Sequence, residues 1–389
     1  MFVEQTLLLE EANEADISHH IWRKNSPWLY DTLLYHILEL PSLTCQFLPL
    51  DENNHQSTLR TQKVVIGTQT SPTEDINHLM IAKIKTPSNF GHSQYDHNFS
   101  ISKPEQSVLK PGFSSVQVET KIVHPGDVNR AKCSPKAYNL IATKSSDSKV
   151  YLFDYSKHPA LPKNNDAEPL LTLTGHELQG FGLDWAQDDY LLASGSNDGT
   201  LCLWDLEKIE AGSSPTTYIS PMGFAINEVQ FHPSQTALLA LGCEDGVVRF
   251  IDRRRANRGT ILSLPGEQEI FSVDISPQND FLILSAAGDG KVRLWDLRYA
   301  SFPLLNFEQH SQSVVRVIWH PTLSGIFATC SNDKSIIITD SITDKKLFKH
   351  SGHFDPVSDF DWSPSANLGI LSVSEDNCLQ YWEPDISCF

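Results

Sequence analysis

The chain has 389 residues, of which 40% are hydrophobic, and 48 acidic side chains outnumber 30 basic ones for a formal charge of −18. Such a surface repels nucleic-acid phosphates and attracts cationic partners in a salt-dependent way, so no direct DNA binding is expected. No stretch approaches the roughly 18 apolar residues of a membrane span, and the seven cysteines lack CxxC spacing, which makes them reduced core residues rather than metal ligands.

From Leu7 to Asn25 the chain is polar and unbroken by Pro or Gly; Pro27 interrupts, and Tyr30, Leu33, Leu34, Ile37 and Leu38 then recur at helical spacing. This predicts an amphipathic helical segment over residues 1–40, docked on the remainder of the chain. Glu4, Glu10 and Glu11 around Leu7 to Leu9 argue against a signal peptide. Leu43 to Pro49 has the texture of an inner strand, with Lys63 to Thr70, His78 to Lys85 and Val118 to Val123 as three more. Between the last two, the polar stretch 86–116 predicts a mobile loop.

Downstream, one unit repeats. Short apolar strands end in Asp154, Asp205, Asp252, Asp296, Asp340 and Glu383, spaced by 51, 47, 44, 44 and 43 residues, and each carries an Asp seven residues earlier: Asp147, Asp198, Asp245, Asp289, Asp333 and Asp376. Pro135, Pro233, Pro277, Pro321 and Pro364 each stand twelve residues before that turn Asp. The period is that of a four-stranded blade, not of a helical solenoid. The Asp turns reverse two antiparallel strands, and the following strand is largely apolar because a blade buries both faces against its neighbours. His124, His176, His310 and His353, with a Ser or Thr four residues before five of the six turn aspartates and Leu241 in the remaining copy, supply buried hydrogen bonds within a blade. Because these residues recur at blade intervals around a ring, they are neither a catalytic triad nor metal ligands, and no cofactor is expected. The repeats fill six blades, so the strands of 43–123 must build a seventh. The expected fold is all-β, a seven-bladed β-propeller over 41–389 behind an N-terminal amphipathic helix; which terminal strand closes the ring stays open.

The repeat resembles the WD-repeat (WD40) family, with the full His-Ser-Asp-Trp set at His176, Ser194, Asp198 and Trp204 and again at His353, Ser372, Asp376 and Trp382. More specific strings lie along nearly the whole chain: Ile21 to Asp31, Pro41 to Pro49, Ile66 to Ser71, Gly126 to Ala131, Ile141 to Lys144, Phe153 to His158 and Ser372 to Asn377. Together they are similar to the histone-binding WD-repeat proteins, the retinoblastoma-binding p48-type chromatin subunits.

That resemblance implies binding without catalysis. It implies histones H3 and H4 as partners, larger subunits of a chromatin complex, and nuclear residence. In the family the first helix of histone H4 lies between the N-terminal helix and a loop near the last blade; the matching positions are Trp28, Leu29, Tyr30, Leu33 and Phe348. The narrow face of the propeller holds a basic histone tail over a ring matched here by Asp127, Arg130, Glu269, Glu375 and Asn377, with neutral Gln179, Asn227 and Ser313 where an acid is usual. Only Ser341 to Lys346 precede Leu347, where much of the family has a long acidic insertion, so the loop is more similar to the fungal small subunit of chromatin assembly factor 1. Deacetylase and type B acetyltransferase complexes are the alternatives within this class. From another class, Trp295, Asp296 and Arg298 match a short box by which some WD proteins dock on a cullin ubiquitin ligase adaptor. No nucleophile elbow or metalloprotease string occurs.

Overall fold

The computed structural model describes residues 19–49, 59–70, 76–87, 115–187, 189–208, 214–215, 217–219, 222–366 and 368–385. Residues 1–18 of the expected helical segment and 88–114 of the expected mobile loop lie outside them. Among the described residues, 28 strands form seven four-stranded antiparallel sheets. Their inner strands, in order of blades one to seven, are Cys45–Phe47, Val128–Cys133, Leu183–Trp185, Ile226–Phe231, Ile270–Ile275, Val314–Trp319 and Val357–Trp362. Each touches the next and the seventh touches the first, so the ring is closed. Blade one is built from the four upstream strands expected for it, from Cys45–Phe47 outward to Ser115–Val123.

The core follows from this arrangement. Seven apolar clusters fill the seven interfaces between adjacent blades. Val248, Phe250 and Leu264 of blade four, for instance, meet Val273, Ile283 and Trp295 of blade five. Hence strands such as Leu201–Asp205 are apolar on both faces. All six turn aspartates act alike. Each accepts the N–H two residues on, at 3.2, 2.8, 3.3, 3.1, 3.1 and 2.9 Å for Asp147, Asp198, Asp245, Asp289, Asp333 and Asp376. The residue after each Asp has positive φ: Gly199, Gly246 and Gly290, but also Ser148, Lys334 and Asn377. The carboxylate thus holds a turn that three non-glycine residues would otherwise disfavour.

Both complete His-Ser-Asp-Trp sets assemble, with one difference. In blade seven His353 Nε2 meets Ser372 Oγ at 2.8 Å and Trp382 Nε1 donates to the same hydroxyl at 3.4 Å. In blade three His176 Nε2 pairs with Ser194 Oγ, but the Trp204 indole N–H has no hydrogen-bond partner among the described residues. Trp204 contributes packing, with its ring edge-on to His176 at 5.9 Å.

The N-terminal segment corrects the sequence expectation. A helix, α1, spans 19–29, and Tyr30–Ile37 is a strand, β1, not the continuation of a helix. β1 pairs antiparallel with Cys378–Pro384, Leu33 facing Trp382 and Leu34 facing Tyr381, and so supplies the outer strand that blade seven lacks. The helical spacing of Tyr30, Leu33, Leu34 and Ile37 misled because a register shift between Tyr30 and Thr32 breaks the strand's alternation. A free sheet edge decides between helix and strand, and Tyr30, Thr32, Tyr35 and Ile37 suit a strand. Pro27 does not end α1 either. Its missing N–H leaves the Arg23 carbonyl without a helical donor, and Ser26 Oγ donates to that oxygen at 3.0 Å.

Leu34 is buried between blades seven and one. Leu34→Ala is therefore expected to lower unfolding free energy by about 2 to 5 kcal/mol, read from urea denaturation. A loss under about 1 kcal/mol would show that the closing strand is not stability-bearing.

Candidate partner-docking site

α1 lies against blades six and seven. Its inward stripe is Trp22, Ser26 and Leu29, at positions i, i+4 and i+7; Trp22 and Leu29 pack on a cluster that holds Tyr30, Leu33, Phe348 and Trp382. Tyr30 and Phe348 meet edge to face at 5.3 Å. Trp22 Nε1 donates to Tyr30 Oη at 2.7 Å, and that hydroxyl lies 2.7 Å from Nδ1 of His350, whose ring stacks on Trp382 at 4.5 Å. At the helix's other end His19 lies over Phe354 at 3.7 Å.

The five positions matched to the histone-helix groove therefore divide. Tyr30, Leu33 and Phe348 are buried and hold α1 from beneath, Phe348 being only 7% exposed. Leu29 is half-buried, and Trp28 is 67% exposed. Sequence reasoning did not single out Ile21, 54% exposed, which stands seven residues before Trp28 on the same outward face. The short loop 341–344 turns tightly, with Ile342 N–H and Thr343 Oγ1 both donating to Asp340 at 2.8 and 2.7 Å. Ile342 projects into solvent, and Lys349 is exposed.

The residues matched to the tail-binding ring divide too. Asp127, Glu269 and Glu375 lie at one face, since each is bonded through its backbone to the strand ends that frame the channel mouth: Asp127 O to Ser146 N at 3.1 Å, Glu269 O to Gly288 N at 3.0 Å, Glu375 N to Pro356 O at 3.1 Å. Glu375 is exposed and Asn377 sits two residues on in the same turn. Asp127 already accepts from Thr70 N and Asn77 Nδ2, both at 3.0 Å, and Glu269 from Asn227 Nδ2 at 2.8 Å. Arg130 is a correction. It lies in the channel, 5% exposed, paired with Glu228 at 3.6 Å and Asp359 at 3.2 Å. Arg316 joins the same two acids, reaching Asp359 at 3.4 Å. Four alternating charges thus form a plug in the channel.

A periodic signal for this plug was present in the sequence. Arg130, Glu228, Arg316 and Asp359 each stand five residues before the blade's Pro, where an apolar inner strand would not carry a charge without a partner. Two residues further along lies a second tier that ties blades together at five of the seven interfaces. Asp184 accepts from Phe231 N at 2.8 Å, Gln230 from Ile275 N at 2.8 Å, Asp274 from Trp319 N at 2.6 Å, Asp361 from Phe47 N at 2.8 Å and Gln46 from Cys133 N at 2.8 Å. Burial pushes the carboxyls of Asp184 and Asp361 up to about 6 and that of Asp274 up to about 7.

Arg298 pairs with Asp296 at 2.6 Å and lies over the Phe281 ring at 4.8 Å, while Arg254 forms the same pair with Asp252 at 2.7 Å one blade earlier. Trp295 is buried, its indole bonded to Ser285 Oγ at 2.9 Å. The same local ion pair thus recurs on two neighbouring blades. No described group of His, Cys, Asp and Glu could hold a metal ion.

Comparison with known families gives two matches. The family of the histone-binding protein RBBP4 and its counterpart in the CAF1 complex matches residues 18–88, which takes in α1, β1 and three strands of blade one. The WD domain, G-beta repeat, matches 167–205, 259–296, 301–340 and 344–383. Each of those repeats starts at one blade's outer strand and ends in the next blade's third, so the last leaves blade seven one strand short. β1 is the missing strand.

The second tier also sets a pH dependence. Its three acids titrate above the ordinary value of about 3.9, so their contribution to stability is full in acid and is lost as pH rises through about 6 to 7. Asp274→Asn is expected to gain stability relative to the unchanged protein between about pH 5 and pH 8, measured by urea unfolding across that range. A difference that does not vary with pH would refute the assignment.

Proposed function

Because this chain belongs to the histone-binding WD-repeat family of the RBBP4 type, we propose that it is a non-catalytic histone H3–H4 subunit of a nuclear chromatin complex, chromatin assembly factor 1. The observation that carries this reading is the outward face of α1. A tryptophan two-thirds exposed, with Ile21 in line, stands on a helix whose opposite face packs against the propeller through Trp22 and Leu29. An exposed aromatic anchor on a rigid seat suits capture of an amphipathic helix, and the first helix of H4 is the proposed occupant. The net charge of −18 favours encounter with basic histones.

The tail of H3 is proposed to lie across the channel mouth near Glu375, Glu269 and Asp127. Since the channel is plugged and two of these acids are partly engaged, the tail would lie flat on the face and bind more weakly than the H4 helix. Which large subunit accompanies the chain is read from affinity purification under native conditions, where chromatin assembly factor subunits are the expected partners.

Trp28→Ala is expected to weaken binding of a peptide of the first H4 helix by tenfold or more, roughly 2 kcal/mol, in a fluorescence-polarisation titration. Undiminished affinity would remove α1 from the binding surface.

A further inference from the structure

We propose that Tyr30 and His350 are positioning residues for the docking helix: the relay Trp22 Nε1, Tyr30 Oη, His350 Nδ1 fixes how α1 is seated and therefore where Ile21 and Trp28 are presented. The inference rests on the reading of α1 as the histone-docking element, and it adds what sets that element's position.

The inward stripe of α1 is narrow. Of its three residues, Ser26 spends its hydroxyl on the Arg23 carbonyl, which leaves Trp22 and Leu29 as the apolar hold. Apolar contact resists separation but tolerates sliding and rotation, whereas a hydrogen-bond chain is directional. The relay starts from a fixed donor: an indole N–H can only donate, so Tyr30 Oη accepts from Trp22, and the same oxygen lies 2.7 Å from His350 Nδ1. Burial holds the imidazole neutral by pushing its pKa well below the usual histidine range.

The anchor at the end of the chain is itself immobile. The His350 ring lies parallel to Trp382, 5° from coplanar, in the blade that β1 completes. Gly352 leaves room for the indole and no more: a Cβ there would come within 2.7 Å of both Trp22 Cζ2 and His350 Cε1. Trp22 thus has one place to sit, and Tyr30, the first residue of β1, joins that place to the closing strand.

Hydrogen exchange on the full chain tests this with Tyr30→Phe, which removes one hydroxyl from a ring that stays buried, and with Trp22→Phe, which removes the donor. In both, amides of 19–29 should exchange about tenfold faster, while those of Ile370–Ser374 and Cys378–Pro384 keep their protection. The H4-helix peptide should bind more weakly by up to the same factor, since only the docked population binds, and an H3 N-terminal peptide should bind as before. Unchanged exchange over 19–29 in both variants overturns the inference, as does uniform acceleration through blade seven, which would make Tyr30 a core residue and nothing more. Selective acceleration over 19–29 in a chain that binds neither peptide upholds the positioning role and sinks the histone-docking reading instead.

Discussion

Closure of the ring is the constraint on which the other features depend. A blade of three strands has an open edge, and a propeller that ends on one has exposed backbone donors and acceptors at the seam. Here the seam is filled by β1, drawn from the opposite end of the chain, so the first described strand and the last share one sheet. The pairing joins residues more than 340 apart and makes the whole ring one cooperative object. It also determines where α1 must lie, because the helix runs directly into β1.

The placement of α1 is therefore a by-product of closure in the mechanical sense. Leu33 and Tyr30 are needed in the core between blades six and seven, and once they are there Trp28 has to emerge on the outside. The same residues that bury the strand orient the helix. A substitution at Tyr30, Leu33 or Phe348 would disturb the seat of α1, whereas one at Trp28 would alter its outward face.

Inside the ring, a different chemistry holds the blades together. Apolar clusters supply non-directional attraction at every interface, but the carboxylates and amides of the second tier read the backbone of the neighbouring blade and so fix its height and angle. The four-charge plug is buried and its charges are paired, and removal of one member would leave its partners unpaired in a low-dielectric channel. Acidic character outside and compensated charge inside thus have separate physical roles.

The sequence by itself determined the repeat, because a turn Asp and an apolar strand are local requirements written into six of the blades, with a Pro at fixed register in five of those copies. It also determined the strands of blade one and the family, through strings such as Ile21 to Asp31. Only the tertiary structure decided that Tyr30–Ile37 is a strand, since the spacing of Tyr30, Leu33 and Leu34 suits a helix until the free edge of Cys378–Pro384 is present to pair with it. It alone decided that Arg130 faces Glu228 and Asp359, and that Phe348 packs inward while Trp28 projects outward. Such outcomes depend on contacts between residues far apart in the chain, and no local pattern can contain them.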